Sequence, residues 1–164
     1  HLSIRRQRQM CIRDRWNKIG FHNLDLIKEE LNILPKYDNQ ILLQGDSIHT
    51  DPLDLSDWKN VDKNEEYWNV NLFPTPYINS IIDIYKLKRT RLMLMKPKTC
   101  YYWHNDKSKR LHIPIQTNSD CFLLVEGQQF HLPADGSSYI VDTTKKHTAL
   151  NCSKENRIHL VGVL

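Results

Sequence analysis

The chain lacks any apolar run near the ~20 residues that a membrane-spanning helix requires, so no span is expected. It has no CxxC pair. Its four cysteines, Cys11, Cys100, Cys121 and Cys152, stand far apart. That spacing argues against a zinc knuckle or a disulfide framework and for reduced thiols in a cytoplasmic protein. There is no internal repeat and no low-complexity tract. Nor is there a real excess of charge. The formal net charge of +4 rests on the five arginines among residues 1–15. RRQRQMCIRD at 5–14 back-translates without strain to a transposase adapter used in sequencing libraries, and Arg15 continues it. Residues 1–15 are therefore expected to be non-native read-through, with the native N-terminus elsewhere. Five of the 23 Lys and Arg and one of the 19 Asp and Glu fall there, which leaves 18 basic residues against 18 acidic ones. The electrostatic case for a nucleic-acid partner goes with them.

What remains, residues 16–164, has the length of a single domain with a real core. Over the full 164 residues, hydrophobic residues make up 40% and charged residues 26%, ordinary values for a globular protein. The domain divides by character, with a helical and irregular part at 16–88 and a strand-rich core at 89–164. NLDLIKEELNIL (23–34) spaces Leu24, Ile27, Leu31 and Leu34 as a helix does, with Asn23 as N-cap and Pro35 as stop. TPYINSIIDIYK (75–86) predicts a second helix capped by Thr75, with Pro76 at its first position. QILLQ predicts one short strand in an otherwise irregular stretch. From Arg89 on, about seven short strands with turn signals predict a sandwich or barrel of jelly-roll type, with the two helices packed on it. CFLLVE and QQFHL flank Gly127 as a hairpin, and Pro114 should sit at a sheet edge or a bulge.

The chemistry gathers around YYWHND (101–106). On an extended chain His104 and Asp106 point to the same side and can reach one ion. A third donor would complete a 2-His-1-carboxylate set, the pattern of non-haem Fe(II) oxygenases. His147, at the start of a late strand, is the candidate. Arg157, ten residues further on, can grip a carboxylate at two points.

LMLMKPKTCYYWHND, RLHIPIQT and GSSYIVDTTKKHTALNCSKENRIHLVGVL together resemble the aspartyl/asparaginyl β-hydroxylase family of 2-oxoglutarate- and Fe(II)-dependent oxygenases. That family shares the double-stranded β-helix of the cupins and includes hydroxylases of free amino acids such as proline. The resemblance covers residues 89–164. It implies that His104, Asp106 and His147 bind the iron and that Arg157 anchors the distal carboxylate of 2-oxoglutarate. It places Arg110 and His112 near the cosubstrate's other carboxylate or near the substrate. The implied reaction hydroxylates an Asp, Asn or Pro type side chain, free or protein-bound, with O2 consumed and succinate and CO2 released. Two details bear on the family pattern. Lys98 follows Pro97 where the family often has glycine, and Asp106 is kept where some animal members lack the carboxylate.

Plainer readings stand beside these. HxD alone is common in solvated turns, His147 follows two lysines, and Arg157 could be a surface arginine. His131 and His159 are expected to be structural, although His159 shares a strand face with Arg157. Tyr101, Tyr102 and Trp103 are expected to pack, as are Trp58, Tyr67 and Trp68. A cupin-like binding protein without turnover, or a cupin-type metal enzyme that needs no 2-oxoglutarate, would use the same fold. Convergence of the three donors and Arg157 on one pocket separates these readings.

Overall fold

The computed structural model describes residues 15–48, 50–55 and 65–164. The N-terminal expectation for residues 1–14 and the packing of Trp58 lie outside them. Two antiparallel sheets face each other. The larger takes β1 (Trp16–Phe21), β2 (Gln40–Leu42), β5 (Lys88–Met95), β7 (Arg110–Gln116), β10 (Ser137–Val141) and β12 (Arg157–Val163), ordered β1-β10-β7-β12-β5-β2. The smaller takes β6 (Thr99–Cys100), β8 (Cys121–Val125), β9 (Gln128–Phe130) and β11 (His147–Asn151), ordered β6-β11-β8-β9. β3 (Gln44–Gly45) and β4 (Val70–Asn71) form a separate two-stranded ribbon. This is the expected jelly roll. The stretch before residue 89 contributes more to it than its weak periodicity suggested, since β1 and β2 are the two edge strands of the large sheet.

Strand alternation builds two cores. Leu92, Leu111, Ile113 and Leu160 project from the large sheet onto Ile27 of α1 (Leu24–Leu31) and onto Ile78 and Ile81 of α2 (Pro76–Tyr85). Between the sheets, Met95, Tyr139 and Val141 meet Leu123, Val125 and Ala149. β7 and β12 are thus covered on both faces and are buried along nearly their whole length. Their inward positions carry Arg110, His112, Arg157 and His159 instead of apolar residues, and all four are buried. Polar groups placed there need partners.

The helices start as their caps dictate, with one exception. The Asn23 side chain accepts from the backbone N–H groups of Asp25 and Leu26, at 3.1 and 3.2 Å. Thr75 makes no capping bond; its hydroxyl turns to the Asn79 side chain instead. The carboxylate of Glu30 on α1 takes over, accepting from Tyr77 N at 2.7 Å and Ile78 N at 2.8 Å. A charged acceptor at a helix N-terminus both satisfies free N–H groups and opposes the helix dipole.

The turns follow residue chemistry. Glu126 and Gly127 both have positive φ, +47° and +78°, as a two-residue hairpin demands. Pro114 lies where the β7–β12 register shifts and beyond the end of the β10 pairing, so no ladder bond is lost. Lys98 adopts φ +58°, the conformation for which glycine is suited at that turn, and its ammonium donates to the Cys152 carbonyl. At the far end, Tyr85, His22 and Ser138 form a hydrogen-bonded triangle of 3.2–3.3 Å sides that ties α2, β1 and β10 together. Gly20 leaves room for it, since a Cβ there would lie 2.3 Å from the Tyr85 hydroxyl. No helix among the described residues is long and apolar enough to cross a membrane.

Candidate metal centre

His104 and His147 are brought together by the main chain. The two residues exchange both backbone hydrogen bonds, His104 N to His147 O at 3.1 Å and His147 N to His104 O at 2.9 Å. Their rings stand 4.2 Å apart, centroid to centroid. Asp106 is fixed two residues on by its own N–H, which donates to the Thr143 carbonyl at 2.8 Å. The donor atoms of His104, Asp106 and His147 all lie within 4.8 Å of one another. Asp106 Oδ1 is 4.0 Å from His104 Nε2, and Asp106 Oδ2 is 3.8 Å from His147 Nε2.

Tautomers follow from the partners. His104 Nδ1 lies 2.7 Å from the Tyr102 carbonyl and His147 Nδ1 lies 2.9 Å from the Lys145 carbonyl. A carbonyl only accepts, so each Nδ1 carries the proton and each Nε2 presents a lone pair toward Asp106. Burial lowers the pKa of His147, which keeps it neutral. Two imidazoles and one carboxylate, with outer partners that set ring orientation, fit a divalent transition metal such as Fe(II).

These three residues share a cavity of about 650 Å³ with Arg91, Arg110, His112 and Arg157. Arg157 is 3% exposed, and no carboxylate among the described residues stands within ion-pairing distance of it. Its neighbours are Tyr101 and Cys121, and its Nη2 donates to His159 Nδ1 at 3.0 Å. Burial pulls its pKa down to about 10, so it stays charged at neutral pH. A buried guanidinium that lines a cavity without a protein anion suits an anionic ligand.

Arginine only donates, so His159 Nδ1 is an acceptor. His112 Nδ1 lies 3.4 Å from that same atom. His112 Nε2 is buried and has no hydrogen-bond partner among the described residues. Burial, followed by the Arg157 charge, holds both histidines well below the usual pKa. His159, expected to be structural, thus bridges two cavity residues. His131 meets its expectation, with Nδ1 on the Cys121 carbonyl at 2.7 Å.

Arg110, expected near the cosubstrate or the substrate, lines the cavity. Its Nη1 and Nη2 clasp the Glu65 carboxylate at 3.0 and 2.8 Å, and its Nε lies 3.1 Å from Asp106 Oδ2 without a hydrogen bond. Arg91, which lines the cavity, and Glu65, which pairs with the cavity residue Arg110, are charges that sequence reading did not single out. Glu65 sits in a stretch with no periodicity, and Arg91 hides in an ordinary alternating strand. Packing of the aromatic run holds only for Tyr101, which joins the inter-sheet core. Tyr102, which lines the cavity, is 95% exposed, and Trp103 is 49% exposed. Trp68 is buried and Tyr67 is exposed. Cys100, Cys121 and Cys152 are free thiols.

A family model for aspartyl/asparaginyl β-hydroxylase matches residues 21–162. The L-proline cis-4-hydroxylase of Rhizobium meliloti is 28% identical over 96 residues, which is 52% of this chain and 34% of that protein. The match thus spans about a third of that curated relative's length. Among solved structures, an oxidoreductase of the 2OG-Fe(II) oxygenase family from Burkholderia pseudomallei superposes with a TM-score of 0.54 at 13% identity, over 90% of this chain and 82% of that one. AviO1 from Streptomyces viridochromogenes gives 0.52 at 13% identity, over 92% of this chain and 90% of that one. At these identities the likeness is one of fold.

Proposed function

The chain belongs to the aspartyl/asparaginyl β-hydroxylase family, and on that premise we propose that it is a 2-oxoglutarate- and Fe(II)-dependent dioxygenase that hydroxylates an amino-acid side chain. His104, Asp106 and His147 would hold the iron, and Arg157 the distal carboxylate of 2-oxoglutarate. The observation that carries the reading is the cavity that joins three converging metal donors to a buried arginine with no carboxylate partner among the described residues. Iron, 2-oxoglutarate and O2 together supply the oxidation: a C–H bond becomes C–OH while the oxo acid leaves as succinate and CO2.

The protein supplies position and exclusion of water. The Tyr102 and Lys145 carbonyls aim the two Nε2 lone pairs. Arg110 places its charge 3.1 Å from one oxygen of Asp106. His159 orients Arg157 through its Nδ1. The buried strands β7 and β12 wall off the inner end of the cavity, where an anchored dicarboxylate displaces water. The curated relative named an L-proline cis-4-hydroxylase supports proline as the substrate to test first.

The test is a visible spectrum of the purified protein with Fe(II) and 2-oxoglutarate under anaerobic conditions. A weak charge-transfer band that needs both additions, is absent in Asp106→Ala and weakens in Arg157→Ala supports the reading. Iron binding without the band would remove 2-oxoglutarate and move a cosubstrate-independent cupin enzyme forward. Succinate release with L-proline or a prolyl peptide then decides the substrate.

A further inference from the structure

We propose that Glu65 is a positioning residue of this metal centre, setting through Arg110 which oxygen of Asp106 is offered to the metal. The proposal rests on the metal-site reading above and adds a residue to it. Glu65 opens a short 3-10 turn (Glu65–Tyr67) and is 8% exposed. Its Oε1 accepts from Arg89 Nη1 at 2.9 Å and from Arg110 Nη2 at 2.8 Å. Its Oε2 accepts from Arg110 Nη1 at 3.0 Å and from the Ser108 hydroxyl at 3.2 Å. Two of the three nitrogens of Arg110 are thereby fixed by one carboxylate, in the two-point geometry that holds a guanidinium plane in place. The third nitrogen, Nε, lies 3.1 Å from Asp106 Oδ2, an ion-pair contact without hydrogen-bond geometry. The guanidinium charge sits against Oδ2, which leaves Oδ1 as the oxygen farther from it.

The choice of oxygen has a chemical consequence. A metal held by His104, Asp106 and His147 alone would keep positions free for an oxo acid and O2, and a second Asp106 oxygen on it would occupy one of them. A two-point grip by Arg110 on Asp106 itself would instead compete with the metal for the carboxylate. Glu65 occupies the fork of Arg110 and so prevents that grip. It also ties the turn that carries it to β5 and β7, across 24 and 45 residues of sequence. A purely structural role would end at that tie.

Co(II) binding to the purified chain separates the two roles, read as affinity and as the visible ligand-field spectrum. Wild type and Glu65→Gln would be compared with Asp106→Ala, Arg110→Met and the double variant Glu65→Gln/Arg110→Met. Loss of an outer-shell partner costs a metal site roughly 10–100-fold in affinity. Glu65→Gln is expected to lose that much and to alter the spectrum, and the double variant to bind no worse than Arg110→Met alone. Glu65→Asp keeps the buried charge but shortens the reach, and is expected to show a smaller change in the same direction with the fold intact. If Glu65→Gln and Glu65→Asp lower the melting temperature but leave Co(II) affinity and spectrum as in wild type, Glu65 is structural and the proposal falls alone. If wild type fails to bind Co(II), or Asp106→Ala binds it as tightly, the metal-site reading falls and takes the proposal with it.

Discussion

Acidifying the metal-free protein should unfold it more readily, with His112 and His159 as the main cause. Both are buried, at 6% and 1% exposure. Desolvation is the largest reason that each pKa lies well below the ordinary value. The charges facing them add to it. His112 feels Arg157, His147, Arg91 and Arg110; His159 feels Arg157, His112 and His131. None of these is an anion. In the unfolded chain each histidine titrates near about 6.5. Above that pH neither state is protonated and stability is complete. As pH falls below it, the unfolded state binds protons that the folded state refuses, so stability drops until the folded pKa is reached. One unit below the unfolded value, at about pH 5.5, each histidine has removed about 1.4 kcal/mol, and the pair roughly 3 kcal/mol. For a domain of this size that is a fall in melting temperature of roughly 6–12 °C. Thermal unfolding in a chelator, followed by circular dichroism between about pH 8 and pH 5.5, measures it. His159→Gln should remove about half of the slope. His112→Gln/His159→Gln should leave only the smaller share of His147 and His22, whose pKa values burial also lowers. A flat wild-type profile, or an equal slope in the double variant, refutes the reasoning.

Arg157→Lys keeps the charge and loses the two-point grip. Anaerobic titration should show 2-oxoglutarate binding weakened by roughly 10–100-fold, in line with the ~1.5–3 kcal/mol of a charged hydrogen bond, with metal affinity unchanged. Unaltered cosubstrate binding would remove Arg157 from the anchoring role. Gly20→Ala drives a Cβ to 2.3 Å from the Tyr85 hydroxyl and 2.9 Å from Ser138 Oγ. Opening the His22–Tyr85–Ser138 triangle should cost about 1–3 kcal/mol in a denaturant titration, and no loss would mean that the triangle yields without strain.

Much of the fold was legible because its signals are local. Residues 89–164 alternate, break at Gly and Pro, and form strands with the expected hairpin about Gly127, and α1 announces itself through Asn23 and a helical stripe. The order HxD, His, Arg along those strands was legible for the same reason, since strand ends place side chains predictably. What escaped notice depends on distant partners. Thr75 looked like a cap, but the acceptor is Glu30, brought over by packing of α1 against α2. Glu65 had no pattern around it, and its meaning lies in Arg110, 45 residues away. β1 is short and holds a glycine, so its pairing with β10 could not be read from WNKIGF alone. The carbonyls that set the histidine tautomers belong to Tyr102 and Lys145, whose side chains say nothing about the role. Exposure of Tyr102 and Trp103 does not follow from their composition.

The paired backbone bonds between His104 and His147 make the spacing of two of the three donors a property of the main chain. Side-chain rotamers then have little left to decide. In small metal-dependent domains, by contrast, the ion organises an otherwise unfolded chain. Here the strands do the organising, and the conformational entropy of bringing the imidazoles together is settled when the sheets form. Binding and release of an ion become local exchange events, with rates set by access to the cavity and by water replacement. A chelated preparation should therefore recover its metal on mixing, without a refolding phase.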